Sequence, residues 1–186
     1  MASRMSKKTW LIVAILIIAV GAIVGIALSR GSCSPSKSTL QSQKVPDFTL
    51  PTMTGANITL SELEGTPVVL NFWASVCGPC RMELPYFEAV AQESEGAIKV
   101  IAIDVGESAS KVQTFFGDYE PTMIVALDGN MEVFQTYSHS DNPRGYIPFT
   151  VFVDSEGIVK YIKIGAFQSE AELWNTLNDV FGTTIP

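Results

Sequence analysis

The sequence predicts an α/β sandwich built on a mixed β-sheet. Two observations carry this. Apolar runs of strand type at 67–73, 98–103, 123–126 and 149–153 alternate with segments of helical periodicity. The chain then closes with a hairpin signal, Ser155-Glu156-Gly157, followed by one more helical pattern. No internal repeat is evident.

The elements follow in order. Residues 45–50 open the domain, 53–57 form a turn signal and 58–60 a second short strand, together a hairpin. Ser61 and Glu64 have the spacing of a capping pair around Leu63. The run 67–73 is almost continuously apolar, as buried central strands are. It leads into Cys77-Gly78-Pro79-Cys80 and a helix whose apolar side is Met82, Leu84, Phe87, Val90 and Ala91. Pro85 predicts a kink there, and Gly96 ends the segment. After the strand 98–103, Ser108 can cap a helix bearing Val112, Phe115 and Phe116. After the strand 123–126, Asp128-Gly129-Asn130 turns into a short helix with Val133 and Phe134. Residues 149–153 and 158–164 pair across the hairpin turn. Gly165 breaks the second of them, and Ser169 caps a last helix with Leu173, Trp174, Leu177 and Val180.

Ahead of this domain lies a different kind of sequence. Residues 10–28 carry no charge over 19 positions. At about 1.5 Å rise per residue such a helix spans roughly 28 Å, close to a bilayer's hydrocarbon thickness. We read 1–9 as a cytoplasmic tail, 10–28 as a transmembrane anchor, 29–44 as a flexible linker rich in Ser, Lys, Gln and Thr, and 45–186 as the folded domain. A cleaved signal peptide and a buried core helix are the alternatives for 10–28, although signal cores usually run about 7–15 residues. Arg4, Lys7 and Lys8 before the run favour an N-terminus on the cytoplasmic side, with the domain outside. Cys33, in the linker, is read as a bystander thiol, with lipidation or an intermolecular disulfide as alternatives.

The charge balance excludes one function class. The chain has 12 basic and 19 acidic residues. Four of the basic ones lie at or before Arg30, so the remainder is strongly acidic. Nucleic-acid binding needs basic patches, so no nucleic-acid partner is expected.

The chemistry centres on Cys77 and Cys80. They lie where a buried strand gives way to a helix, whose first turn offers unpaired N–H groups and a partial positive charge. A thiolate there is stabilised. Cys77, nearer the surface, is expected to attack. Cys80, one turn in, is expected to be shielded and act second. Pro79 suits a first helical turn, where its missing N–H costs nothing. Such a pair exchanges disulfides through sulfur alone, with no cofactor. Structural zinc usually takes four ligands, and one pair with a single histidine, His139, does not supply them, so no metal is expected.

The segment 71–85, with Cys77-Gly78-Pro79-Cys80, then Glu83 and Pro85, resembles the active-site stretch of TlpA/ResA-like proteins. These are extracytoplasmic thiol–disulfide oxidoreductases, and the resemblance extends over 45–182, including Ile147-Pro148-Phe149-Thr150. It implies a thioredoxin-like three-layer sandwich with an N-terminal β-hairpin extension. It implies Cys77 as nucleophile, Cys80 as resolving cysteine and Glu83 as the active-site acid. It implies Pro148 as the cis-proline beside the disulfide, with Ile147 and Val76 in the substrate-binding surface. The family usually has Trp where Val76 stands, which removes an aromatic platform. Partners implied are disulfide-bearing extracytoplasmic proteins, apocytochrome c among them, a membrane thiol-electron transporter, and lipid around the N-terminal helix.

Two other classes compete. A peroxiredoxin-type thiol peroxidase would share Pro46-Asp47-Phe48 and Leu63-Glu64-Gly65, but it would have Thr where Ala74 stands and would lack the second cysteine. A copper chaperone of the Sco type would space its cysteines by three residues rather than two. The stretch 138–145, with His139, Asp141 and Arg144, is longer than the family's usual approach to the proline and is expected to pass near the cysteines.

Overall fold

The computed structural model describes residues 40–182. The tail 1–9, the anchor 10–28, Cys33 and the linker up to 39 lie outside the described residues. Among the described residues, no helix is long and apolar enough to cross a membrane.

The mixed sheet is present, with thioredoxin-like topology. Strand β3 (Val68–Trp73) is its centre, and all six of its residues are buried. It pairs in parallel with β4 (Lys99–Val105) and antiparallel with β6 (Phe149–Val153). Strand β5 (Ile124–Asp128) flanks β4, and β7 (Val159–Ile164) flanks β6, giving the order β5-β4-β3-β6-β7. Alternation along β3 splits the core in two. Leu70 and Phe72 face Phe134 and Tyr137, while Val69 and Trp73 face Leu84, Phe87 and Leu173. The second set belongs to helices α1 (Gly78–Glu93) and α4 (Glu170–Phe181), the first to α3 (Glu132–Ser138). Helix α2 (Ala109–Phe116) adds Val112 beside Trp73.

The hairpin is a separate pair, β1 (Thr49–Pro51) and β2 (Asn57–Thr59). It starts later than expected, because Asp47 pins the chain first. The Asp47 carboxylate accepts from the N–H of Phe48 and of Ser61, each at 2.9 Å. The same contact dissolves the expected capping pair. Ser61 gives its N–H to Asp47, and Glu64 takes Lys44 at 2.5 Å instead. Residues 40–45, where the sequence suggests a linker running into the domain, run beside β7. Ser42 N–H donates to the Val159 carbonyl, and Val159 N–H donates to that of Gln43. Such a segment covers an otherwise open sheet edge.

The helix starts show which caps the sequence displays. Ser169 accepts from Glu172 N–H at 3.1 Å, as a capping serine should. Ser108 stands at the N-cap of α2, but its hydroxyl pairs with that of Ser110. Helix α1 continues through Pro85 to Glu93. Helix α3 is capped from four residues upstream, where the buried Asp128 carboxylate accepts from Phe134 N–H at 2.7 Å and Val133 N–H at 3.4 Å. Asp128→Ala strands both donors and is expected to cost about 1–2 kcal/mol in denaturant unfolding. An unchanged midpoint would show that the cap contributes nothing.

Candidate active site

The site lies at the C-terminal end of β3. After Trp73 the chain turns through Ala74, Ser75 and Val76, with Cys77 N–H donating to the Ala74 carbonyl at 3.0 Å. Cys77 is the N-cap of α1. Its sulfur accepts the Cys80 N–H at 3.2 Å, taking the place an oxygen usually holds. Cys77 and Cys80 are joined as a disulfide. Cys77 is half-buried, and Cys80 is 0% exposed.

Across from the pair runs the loop into β6. The Ile147–Pro148 bond is cis. The Ile147 carbonyl oxygen lies 3.8 Å from Cys77 Sγ. Asn142, itself buried, shapes this loop by taking Tyr146 N–H at 3.0 Å and giving its amide to the Tyr146 carbonyl at 2.6 Å. His139 is exposed, and Asp141 accepts from Leu40 N–H at 2.8 Å, which ties the loop to the start of the domain. Around the sulfur pair the surface is apolar. Val76, Met82 and Tyr146 are all exposed, and Phe115 lines a shallow groove with Gly78, Pro79, Arg81 and Met82.

Beneath the pair sits an acid. Glu83 is fully buried, one turn beyond Cys80 on α1. One carboxyl oxygen accepts from Asn71 Nδ2 at 2.8 Å, the other from Phe167 N–H at 2.7 Å. Asn71 Nδ2 also donates to Thr150 Oγ1 at 3.0 Å. Burial pushes the Glu83 carboxyl up to about 7, against the pull of those two donors and of Lys163. Lys163 itself pairs with Glu172 at 2.8 Å over the Phe167 ring.

Of the residues singled out by sequence, the fold brings Cys77, Cys80 and Ile147 into contact, with Pro148 next in the chain. Val76 stands exposed on the turn, and Glu83 lies inside. Two further acids at the site escape the sequence pattern. Asp104 lies near the end of β4 beside Trp73, and Glu107 reaches from the next loop to Ser75. An aspartate closing the otherwise apolar run 100–103 is the one signal of them that the sequence holds. Among the described residues, no group of three or more His, Cys, Asp or Glu side chains is arranged to hold a metal.

A cysteine pair opening the helix that follows the central strand of this mixed sheet defines a thioredoxin-fold dithiol protein. The Redoxin family profile matches residues 40–179. Thiol-disulfide oxidoreductase ResA of a Bacillus cereus strain is 32% identical over 148 residues, 79% of this chain and 82% of the relative. ResA of Bacillus subtilis (strain 168) is 33% identical over 156 residues, 83% and 82% respectively. A putative thiol:disulfide interchange protein DsbE from Chlorobium tepidum superposes with a TM-score of 0.66 at 26% identity, covering 75% of this chain and 95% of that one. The chain belongs to the Redoxin family, among its TlpA/ResA-like thiol–disulfide oxidoreductases.

Proposed function

We propose that this protein reduces disulfides of proteins outside the cytoplasm, held to the membrane by residues 10–28 with its N-terminus inside. The observation that carries the reading is the Cys77–Cys80 pair, one sulfur half-exposed at a helix N-terminus and the other buried. Cys77 attacks as a thiolate, favoured by the Cys80 N–H aimed at its sulfur. The substrate S–S bond breaks, one substrate sulfur leaves as a thiol after taking a proton, and a mixed disulfide remains. Cys80 then attacks Cys77, the second substrate thiol is released, and the Cys77–Cys80 disulfide closes. Glu83, with a carboxyl that titrates near neutral pH, takes the Cys80 proton and returns it in the reverse step. Val76 and Ile147 line the surface on which a substrate segment lies, and Pro148, itself buried, sets the course of the Ile147 backbone from beneath.

The protein leaves each cycle oxidised, so a membrane thiol-electron transporter restores the dithiol. Apocytochrome c is the substrate that the family resemblance suggests. Cys80→Ser tests the reading, since it stops the second step and is expected to accumulate a mixed disulfide through Cys77. Purification of that species from membranes identifies the partner. Failure to trap any mixed disulfide would overturn the proposal.

A further inference from the structure

The turn that carries Cys77 is held from one side by charge. Glu107 Oε2 accepts the Ser75 N–H at 2.5 Å, and Oε1 accepts the Ser75 hydroxyl at 2.8 Å. Both bonds reach a residue two positions before Cys77, in a turn otherwise closed by the Cys77 N–H to Ala74 bond. Glu107 is itself anchored. Lys111, in the first turn of α2, pairs with Glu107 Oε1, and the Glu107 N–H donates to Asp104 Oδ1 at 3.1 Å. Asp104 is fully buried, and its carboxyl shares a hydrogen bond with that of Glu107. The parallel pairing of β3 with β4 places Asp104 opposite Trp73, the last strand residue before the turn.

We propose that Glu107 is a positioning residue for the Cys77 sulfur, its carboxylate fixing the Ser75–Cys77 turn with Asp104 and Lys111 as its braces. The inference rests on the oxidoreductase reading for its functional meaning, but not for its geometry. Two carboxyls this close do not both ionise readily. Burial and the facing Glu107 raise Asp104, so the proton resides there. Burial also opposes charge on Glu107, yet the Lys111 ammonium, Asp104 and the Ser75 donors outweigh it and hold Glu107 below the usual carboxylate range. The negative charge therefore stays on the side chain that holds the turn.

A pure charge effect and a positioning effect have opposite signs. A carboxylate near Cys77 disfavours its thiolate, so loss of charge alone would lower the pH midpoint of Cys77 alkylation. Loss of the turn instead frays the N-cap and raises it. The experiment is site-resolved alkylation of the reduced full-length protein across pH, read by peptide mass spectrometry so that Cys33 and Cys80 are counted apart. Glu107→Ala is expected to raise the Cys77 midpoint and to slow its alkylation at pH 7 about threefold or more. Glu107→Gln, whose amide can still accept the Ser75 N–H, is expected to restore most of the rate. Ser75→Ala, which deletes one of the two bonds, is expected to move the midpoint the same way by less, and it serves if Glu107→Ala does not fold. A midpoint unchanged or lowered in Glu107→Ala, or in Ser75→Ala where that variant stands in, overturns the proposal. So does a Glu107→Gln protein as impaired as Glu107→Ala. Insulin reduction by the wild-type protein tests the oxidoreductase reading separately, and its failure leaves the alkylation result intact as a measure of the turn.

Discussion

Cys77→Ser is expected to abolish disulfide reduction, with a loss of roughly 10³-fold or more, because a serine hydroxyl is not ionised near neutral pH and does not exchange with disulfides. The two sulfurs differ in access, and this sets the asymmetry. Cys77 is half-buried, while Cys80 is sealed under the first turn of α1. Cys80 is therefore unable to meet an incoming protein disulfide when Cys77 is gone. Cys80→Ser should behave differently, retaining the first attack and losing turnover. Reduction of insulin and of a small disulfide by both variants checks this. A Cys77→Ser protein that still turns over would reverse the assignment of the two cysteines.

Glu83→Gln carries the second large effect, and it has two readouts. In activity, the variant is expected to slow exchange at pH 7 by roughly tenfold or more and to lose the inflection near neutral pH. In stability, the sign follows from the shift. The Glu83 carboxyl is raised from 4.5 to about 7 by burial, so the folded state binds its proton more tightly than the unfolded chain does. The resulting stabilisation is complete below pH ~4.5 and is lost as pH rises through about 7. Glutamine never ionises and escapes that loss. The variant should gain stability relative to wild type between about pH 5 and pH 8, on the order of 2 kcal/mol by denaturant unfolding. Parallel stability curves, or an unchanged activity profile, would remove Glu83 from the proton path.

Much of the architecture was legible because it is written in local pattern. A six-residue strand with every side chain buried announces itself by continuous apolarity, as β3 does. The cysteine pair, Pro79 and Ser169 mark helix starts through chemistry confined to one turn. The resemblance supplied Pro148 and Glu83, which no periodicity would single out. What stayed hidden depends on register. Glu107 and Ser75 are 32 positions apart, and only the parallel alignment of β3 with β4 makes them neighbours. Phe167 donates through its backbone, so its side-chain type says nothing about Glu83. Asp47 lies in the run that opens the domain and Asp128 in a turn signal, yet Asp47 also takes the distant Ser61 N–H and Asp128 takes those of Val133 and Phe134.

Asn71 sets which hydrogen bonds the floor of the site offers to Glu83. Its Nδ2 serves an ionised Glu83 and Thr150, while its Oδ1 is buried with no partner among the described residues. An amide has a donor end and an acceptor end of nearly the same shape. When Glu83 takes up a proton, its hydroxyl needs an acceptor, and a half-turn of Asn71 presents Oδ1 to it. Thr150 can then donate its own hydroxyl to the same oxygen. The acid then keeps a partner in either ionisation state without moving the backbone, at the cost of turning Nδ2 toward the side where Oδ1 now lies unpaired. An aspartate in that slot would offer no donor and would contest the same proton, spreading the titration over two coupled steps. With asparagine there, and with Cys80 held in the disulfide, the buried floor is a one-bit store: it is loaded or empty, and a single inflection in the Glu83 profile of the oxidised protein is what that looks like from outside.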